Sequence, residues 1–266
     1  MWQGRTWGRR GVAVIVAALW VVTAGGALIG CGDDGGDGGG EQDAGESNTT
    51  STRPEGLRVF YSLATPESVD ITLIDNNDDG NTIELQGVTR NVATDYNAIP
   101  AGDYRAIFLV SGSQEPLRGG TSVNNITVGD GETWTLVLTE DEGGDPVHQM
   151  IQDELTAPGE NSARYRFVYR ASGPRADLYE LPSGALLEQG LALGQLTLYT
   201  DVVGGTYDFE VRPEGLNQVI HSIEQVDLKP GEIYTFFIVG NGDPNGDGNS
   251  VDSSVDHVQV LDWRVD

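Results

Sequence analysis

Hydrophobic and polar residues alternate along much of the chain from residue 57 onward. The clearest runs are Leu57, Val59, Tyr61 and Leu63, then Tyr165, Phe167 and Tyr169, and then Tyr207, Phe209 and Val211. A period of two is typical of β-strands that bury one face. In the second run, we therefore expect Arg164, Arg166 and Arg170 to lie on the opposite, polar face.

Two segments depart from strict alternation. Residues 233–239 are almost continuously apolar, which predicts a central strand covered on both faces. Residues 143–160 have helical spacing instead, because Asp145 can cap a helix and Pro146 suits its first position. The apolar stripe of this predicted helix consists of Val147, Met150, Ile151 and Leu155. We therefore predict a connector with a short helix at 143–160.

Four motifs of the first half recur in the same order in the second half. Residues 58–61 match 166–169, Pro66 and Asp70 match Pro174 and Asp177, residues 101–104 match 204–207, and residues 131–135 match 231–235. An internal repeat of about 100 residues built only from strand patterns indicates tandem modules. The sequence therefore predicts an all-β fold with two tandem immunoglobulin-like antiparallel β-sandwich domains, at 56–142 and 161–266.

The repeated motifs resemble the bacterial domain of unknown function 4397. The resemblance lies in Arg-Val-Phe-Tyr at 58–61, the Pro and Asp that follow, Pro-Ala-Gly-x-Tyr at 100–104 and Gly-Glu-x-Tyr-Thr at 231–235. It covers most of residues 56–242, with longer inserts in the first half around 75–83 and 111–122. The family occurs in exported bacterial proteins, commonly in tandem. The resemblance therefore implies an exported β-domain, and it transfers no catalytic residue and no ligand.

The first 30 residues have the organisation of a secretory signal peptide. Arginines precede an apolar run at 11–23, and small residues follow it. Residues 28–31 read Leu-Ile-Gly-Cys and resemble the lipobox of bacterial lipoproteins, which implies cleavage before Cys31 and a lipid on its sulfur. The alternative is an uncleaved membrane-spanning anchor over 11–30. Either arrangement predicts an exported protein held to the membrane.

The residues after Cys31 predict a tether and a location. Cys31 is the only cysteine, so no disulfide can form within the chain. Residues 31–55 are rich in Gly, Asp, Glu, Ser and Thr, which predicts a disordered acidic tether. Gly32 follows the cysteine where an Asp would favour retention at the inner membrane, so we expect the outer membrane or the cell surface.

The charge balance excludes one class of function. The chain has 41 acidic residues and 15 Lys and Arg, for a net charge of −26 and a pI of about 4.1. Such a surface repels nucleic acid and attracts cations. We therefore expect no nucleic-acid partner.

Two acidic loops fit the opening of a calcium-binding loop. Their predicted ligands are Asp75, Asn77, Asp79 and Glu84 in the first loop, and Asp243, Asn245, Asp247 and Asp252 in the second. Alternate oxygen ligands suit Ca²⁺, and the Gly after the third ligand allows a sharp bend. Both loops lack Glu at the twelfth position, and the same residues also form ordinary turns.

Catalytic motifs are absent from the sequence. It has no H-E-x-x-H, no G-x-S-x-G and no phosphate-binding loop. His148, His221 and His257 are isolated from one another, and each is most simply an ordinary structural residue. Four tyrosines are candidates for an exposed platform that contacts sugars or peptides, although core packing is the alternative: Tyr61, Tyr96, Tyr179 and Tyr199.

These patterns favour a non-catalytic, lipid-anchored protein of the cell envelope. Its partners are predicted to be the membrane, through the lipid, and an envelope protein or glycan, in a structural or adhesive role. The alternative is an extracellular protein that binds carbohydrate or another ligand and is stabilised by calcium. A third hypothesis is a glycan hydrolase with two facing carboxylates. Apart from calcium, no cofactor is predicted.

Overall fold

The computed structural model describes residues 52–118, 122–141, 144–241 and 254–265. These residues belong to one compact unit, Asn48–Asp266. They form sixteen strands, arranged in four four-stranded sheets, and no helix occurs among them. Consequently, no helix of the described ranges is long and apolar enough to span a membrane.

Two sheets form the first sandwich. Sheet A has the order β4–β1–β7–β8, with β1 at Gly56–Tyr61, β4 at Val92–Ala93, β7 at Thr133–Glu140 and β8 at Pro146–Gln152. Sheet B has the order β3–β2–β5–β6, with β2 at Ser68–Asp75, β3 at Thr82–Thr89, β5 at Gly102–Val110 and β6 at Ser122–Val128. A buried cluster that includes Leu57, Ile71 and Phe108 fills the space between them.

The second sandwich repeats this plan. Sheet C has the order β12–β9–β15–β16, with β9 at Ser162–Ser172, β12 at Thr200–Val203, β15 at Glu232–Asn241 and β16 at Asp256–Arg264. Sheet D has the order β11–β10–β13–β14, with β10 at Ala176–Leu181, β11 at Ala185–Leu191, β13 at Gly205–Pro213 and β14 at His221–Leu228. Its core includes Phe167, Phe209 and Phe236.

Sheets A and C pack against each other, so the four layers lie in the order B, A, C, D. A third cluster takes Phe60, Val137 and Ile151 from sheet A and Val168, Phe237 and Val239 from sheet C. The rings of Phe60 and Phe237 are stacked with their centroids 3.9 Å apart. Each sandwich has its own core, and the unit contains all the described strands and all three clusters, as expected of a unit that folds on its own.

The predicted all-β fold with two sandwiches is confirmed, and so is the prediction that the strand at 233–239 is covered on both faces. Each sandwich also contains a feature that the sequence did not predict. Strand β1 pairs with β7 in parallel, and β9 pairs with β15 in parallel, while the other pairs are antiparallel. The first strand of each sandwich is therefore central in its sheet.

The predicted helix in the connector 143–160 is wrong. Three of its four apolar residues belong to strand β8, which pairs with β7 along its whole length and extends the first sandwich, and the fourth, Leu155, is buried just beyond the end of β8. Met150 packs against the core of the first sandwich, whereas its neighbour Ile151 lies in the cluster between sheets A and C. A strand between two apolar layers carries apolar residues on both faces. In β8 the spacing of these residues is the same as that of the apolar face of a helix, which explains the wrong prediction.

The sequence repeat corresponds to repeated hydrogen bonds. The carboxylate of Asp70 accepts from the backbone N–H groups of Gly87 and Gly112 at 2.7 and 3.0 Å. Asp177 accepts from Gly190 and Gly215, both at 2.9 Å. All four glycines have φ between 64° and 73°, which disfavours other residues. The paired Asp residues therefore hold one bulge and one loop at equivalent places in the two sandwiches.

Candidate functional site

A buried ionic cluster joins sheets A and C near the start of β1. The guanidinium of Arg58 lies 2.7 Å from the carboxylate of Asp262 in the other sandwich, and Arg166 forms the reciprocal ion pair with Asp153. All four side chains are at most 2% exposed. We call this region the paired end of the interface, defined by Arg58, Arg166, Asp153 and Asp262.

Neutral groups complete the paired end with the same symmetry. Asp153 accepts hydrogen bonds from Tyr96 at 2.8 Å and from Thr135 at 2.6 Å. Asp262 accepts from Tyr199 at 2.9 Å and from Thr235 at 2.6 Å. The same threonines accept from the arginine Nε atoms, Thr135 from Arg58 at 2.8 Å and Thr235 from Arg166 at 3.0 Å.

The electrostatics of the paired end are those of a structural contact. Burial lowers the pKa of Arg58, but the nearby Asp262, Tyr96 and Asp153 outweigh it and raise the pKa above its ordinary value. Burial raises the pKa of Tyr96 and Tyr199, which keeps both hydroxyls protonated as donors. With every charge matched and removed from solvent, the cluster fixes the two sandwiches together and has no exposed group to offer a ligand.

A cavity of about 470 Å³ opens at the other end of the same interface. Its walls come from the ends of β1, β7, β9 and β15 and the start of β16, so both sandwiches contribute. Hydroxyl and amide groups are frequent in the lining, which includes Ser62, Asn91, Thr139, Ser172 and Ser254. We call this region the open end. Its volume lies in the range of small-molecule sites.

Arg170 is the buried cation of the open end. It lines the cavity, is 5% exposed, and donates from Nη1 to the amide oxygen of Gln149 at 2.8 Å. Its Nε atom has no partner, and no carboxylate of the described residues forms an ion pair with it. Burial lowers the pKa of Arg170 to about 10, which leaves it charged at neutral pH. It is thus a buried positive charge that has no counterion within the part of the chain that the structure describes.

Arg166 and Arg170 correct the predicted polar face of β9. Alternation placed both arginines on an exposed face, but Arg166 is 1% exposed and Arg170 is 5% exposed. The reason is that sheet A covers this face of sheet C. Arg164, on the same face, pairs with Asp201 at the surface, as predicted for a polar position.

Two of the three histidines meet at the edge of the second sandwich. His221 Nε2 lies 2.9 Å from His257 Nδ1, and Asp256 Oδ1 lies 3.8 Å from the same His257 nitrogen. Burial lowers the pKa of both imidazoles, and Asp256 only partly offsets this. Within the described residues, this trio is the single group of three His, Cys, Asp or Glu side chains whose ligand atoms converge within 4.8 Å.

The first predicted calcium loop lies at the turn between β2 and β3. Asp75 accepts from the backbone N–H of Asn77 at 2.8 Å, Asp79 pairs with Arg105 at 2.9 Å, and Glu84 lies within β3. The carboxylates of Asp75, Asp79 and Glu84 do not converge. Calcium binding at this loop stays a prediction.

Other predicted residues lie elsewhere. Cys31 and the second calcium loop, with Asp243, Asn245, Asp247 and Asp252, lie outside the described residues. Of the four candidate platform tyrosines, Tyr61 is fully buried, Tyr96 and Tyr199 belong to the paired end, and Tyr179 lies against the guanidinium of Arg212 at 4.4 Å.

Sequence reasoning missed Arg170 and the histidine pair as site residues. The position of Arg170 in an alternating strand gave no sign that a second sheet covers it. His221 and His257 are 36 residues apart, and only the pairing of β14 and β16 with their own sheets brings them together.

No protein-family model and no curated protein matches the chain. The chain is similar to the solved structure of a family 26 carbohydrate-binding module of Eubacterium rectale Amy13K with maltoheptaose. The identity is 16%, with 75% of this chain and 95% of that one covered, and the TM-score is 0.25. A candidate cell adhesion protein of Bacteroides ovatus gives 9% identity, 80% and 99% coverage and a TM-score of 0.19.

A second candidate cell adhesion protein, from Bacteroides eggerthii, gives 10% identity, 78% and 95% coverage and a TM-score of 0.22. At these values, no residue, ligand or partner is transferred to the present chain. The resemblance of its motifs to the domain of unknown function 4397 likewise stays a prediction.

Proposed function

We propose that this chain is a non-catalytic, lipid-anchored module of the bacterial cell envelope that binds an acidic sugar in the cavity at the open end. One observation carries the proposal: Arg170 is buried in the wall of that cavity, and no carboxylate of residues 52–118, 122–141, 144–241 or 254–265 pairs with it. An unpaired buried cation is costly, and a ligand carboxylate would compensate it. The module would thus hold an envelope or extracellular glycan.

The lining of the cavity supports a hydroxylated ligand. Side chains such as Ser62, Asn91, Thr139 and Ser172 provide hydroxyl and amide groups that donate and accept hydrogen bonds. Sugar hydroxyls need such partners when they leave water, because an unmatched buried polar group is costly. The volume of about 470 Å³ suits a small ligand such as one or two sugar rings.

The charges of the lining favour a ligand with a single carboxylate. Glu140, Asp141 and Asp256 also line the cavity, and the second cation of the lining, Arg90, is already paired with Glu67, so these carboxylates disfavour a second negative charge on the ligand. Among the described residues that line the cavity, none is aromatic, so these walls offer no stacking surface for a neutral sugar ring. An acidic monosaccharide such as a uronate therefore fits the cavity better than a phosphate or a neutral sugar.

The anchoring part of the proposal rests on the sequence. The lipobox-like residues 28–31 and the acidic segment 31–55 support a lipid on Cys31 and a tether to the outer membrane or cell surface. Metabolic labelling with a radioactive or clickable palmitate tests this part directly. Label on the wild-type chain and none on Cys31→Ser supports lipidation, while equal labelling of both contradicts it.

Binding is tested with two probes that differ in one group. The unit 48–266 is titrated with D-glucuronate and with D-glucose by calorimetry or ligand-observed NMR. We expect glucuronate to bind and glucose to bind at least about tenfold more weakly, because only glucuronate supplies a carboxylate to Arg170. Arg170→Gln should remove this preference.

Arg164→Gln is the matched control, since Arg164 lies on the same strand and face but pairs with Asp201 at the surface. It should leave glucuronate binding unchanged. The proposal fails if neither sugar binds at millimolar concentration, or if Arg170→Gln binds glucuronate as the wild type does while it remains folded.

A further inference from the structure

The histidine pair lies where the edge strands of sheets C and D face each other in the second sandwich. His221 begins β14, the edge strand of sheet D, and His257 is the second residue of β16, the edge strand of sheet C. Their partners in the neighbouring strands are Val211 and Ile238, which both belong to the core of this sandwich. The two imidazoles therefore point toward each other from facing sheets.

The distances in this trio are close to those of a tetrahedral metal centre. Zinc holds nitrogen and oxygen ligands at about 2.0–2.2 Å, which places neighbouring ligand atoms about 3.4 Å apart in a tetrahedron. The two nitrogens are 2.9 Å apart, and the carboxylate oxygen is 3.8 Å from the nearer one. These two distances differ from the tetrahedral spacing by about half an ångström, and all three ligand atoms lie within 4.8 Å of one another, so side-chain rotation can bring them to this spacing.

Two imidazoles and one carboxylate are also a suitable donor set. Imidazole suits zinc, copper and nickel, whereas calcium and magnesium prefer oxygen ligands alone. His221 and His257 are partly buried, and Asp256 is exposed, so the trio combines a preformed inner side with access from solvent. These features distinguish it from the many exposed acidic groups of this chain.

We propose that His221, His257 and Asp256 form a zinc site that links the edges of sheets C and D. The three side chains would supply three ligands, which leaves a fourth position for water or an external ligand. The site differs from the sugar cavity in its ligands and its chemistry, although Asp256 also lines that cavity. It goes beyond the proposed sugar binding and does not depend on it.

The zinc site is tested by calorimetric titration of zinc chloride into the untagged unit 48–266, after treatment with chelator and removal of the chelator. Calcium chloride is kept in excess to occupy any site that prefers hard cations. We expect one zinc ion per chain and a higher melting temperature, because zinc bound only to the folded state stabilises it.

Each histidine variant should weaken this binding. Loss of groups that merely support metal ligands already costs about 10–100-fold in affinity, so His221→Ala and His257→Ala should each cost at least about tenfold. His148→Ala is the matched control, because His148 is the only other histidine and is exposed on β8. It should bind zinc as the wild type does.

A cobalt(II) spectrum gives a second measurement that reports geometry. Cobalt in place of zinc should give the intense visible bands of a four-coordinate site, and these bands should disappear in His257→Ala. Circular dichroism establishes that each variant remains folded. The proposal is overturned if the wild type binds no zinc at micromolar concentration, or if the folded His221→Ala and His257→Ala variants bind it as tightly as His148→Ala.

Discussion

Strand β9 carries a buried arginine at each end of the interface between sheets A and C, and the two differ in their partners. At the paired end, Arg166 contacts the carboxylate of Asp153 and the hydroxyl of Thr235. At the open end, Arg170 donates to the neutral amide of Gln149, and no carboxylate in the described part of the chain pairs with it. The two residues share a strand, a face and nearly the same low exposure. The difference shows that burial alone does not identify a structural arginine, because only one of the two is fully compensated.

The largest effect is expected at the paired end. Asp262→Ala leaves the guanidinium of Arg58 buried without its closest counterion. Removing one partner of a buried pair costs about 3–5 kcal/mol, so urea unfolding of the unit 48–266 should show a loss of this size. Glu67→Ala, which removes an exposed partner of Arg90, should cost less than about 1 kcal/mol. Equal losses in the two variants would contradict a structural role for the paired end.

Replacement of either buried arginine by Met compares the stability of the two ends directly. Arg166→Met leaves Asp153 without its closest arginine, with Arg58 remaining at 3.9 Å, and should lower the free energy of unfolding by about 3 kcal/mol. Arg170→Met removes an uncompensated charge and should leave the free energy unchanged or raise it by about 1 kcal/mol. Urea titrations of both variants without added ligand decide the point. A large loss of stability in Arg170→Met would mean that this arginine is structural after all.

The smallest change in stability is expected at Asp70. Its carboxylate is stabilised by neutral hydrogen-bond donors and not by a cation. Burial raises the pKa of Asp70, but the N–H groups of Gly87 and Gly112 and the hydroxyl of Ser111 outweigh it and lower the pKa below 3.8. The unfolded chain therefore takes up this proton at a higher pH than the folded chain. The stabilisation is present above about pH 4 and is lost as the pH falls through the lowered folded value.

Asp70→Asn should remove this pH-dependent part. We expect a loss on the order of 1 kcal/mol at pH 7, with a smaller difference from the wild type at pH 3. Urea unfolding at the two pH values measures both differences. A gap between variant and wild type that is the same at pH 3 and pH 7 would show that the charge of Asp70 is not what stabilises the bulge and the loop.

The sequence predicted the fold well because each strand pattern depends only on neighbouring residues, and because the repeat can be recognised by comparing the two halves of the chain. Alternation at Leu57–Leu63 and Tyr165–Tyr169 needs only neighbouring residues, and the structure has strands there, which end at Tyr61 in the first segment. The matched Asp70 and Asp177 accept equivalent backbone hydrogen bonds in the two sandwiches, which explains why they stand out in the repeat. The stacking of the two sandwiches is not local, since it depends on which polar face of one sheet meets the other.

The candidate sites were missed for the same reason. Arg170 becomes unusual only because sheet A covers it, and nothing in the strand pattern distinguishes it from the surface residue Arg164. His221 and His257 belong to strands in different sheets of the second sandwich, and their proximity depends on how those sheets align. Ile151 shows the same limit for an apolar residue. The sequence predicted that it is buried, but it did not predict that it packs against sheet C.

The direction of β1 decides which way the cavity faces. The chain enters this strand beside the paired end, where the carbonyl of Pro54 accepts a hydrogen bond from Thr133 at 2.8 Å, and it reaches the cavity at Ser62. Strands rise about 3.3 Å per residue, so the cavity opens about 20 Å from the point where the chain enters β1. The chain therefore joins this unit at the end opposite the cavity, and the residues directly before β1 leave the cavity mouth clear for the end of a long chain-like ligand.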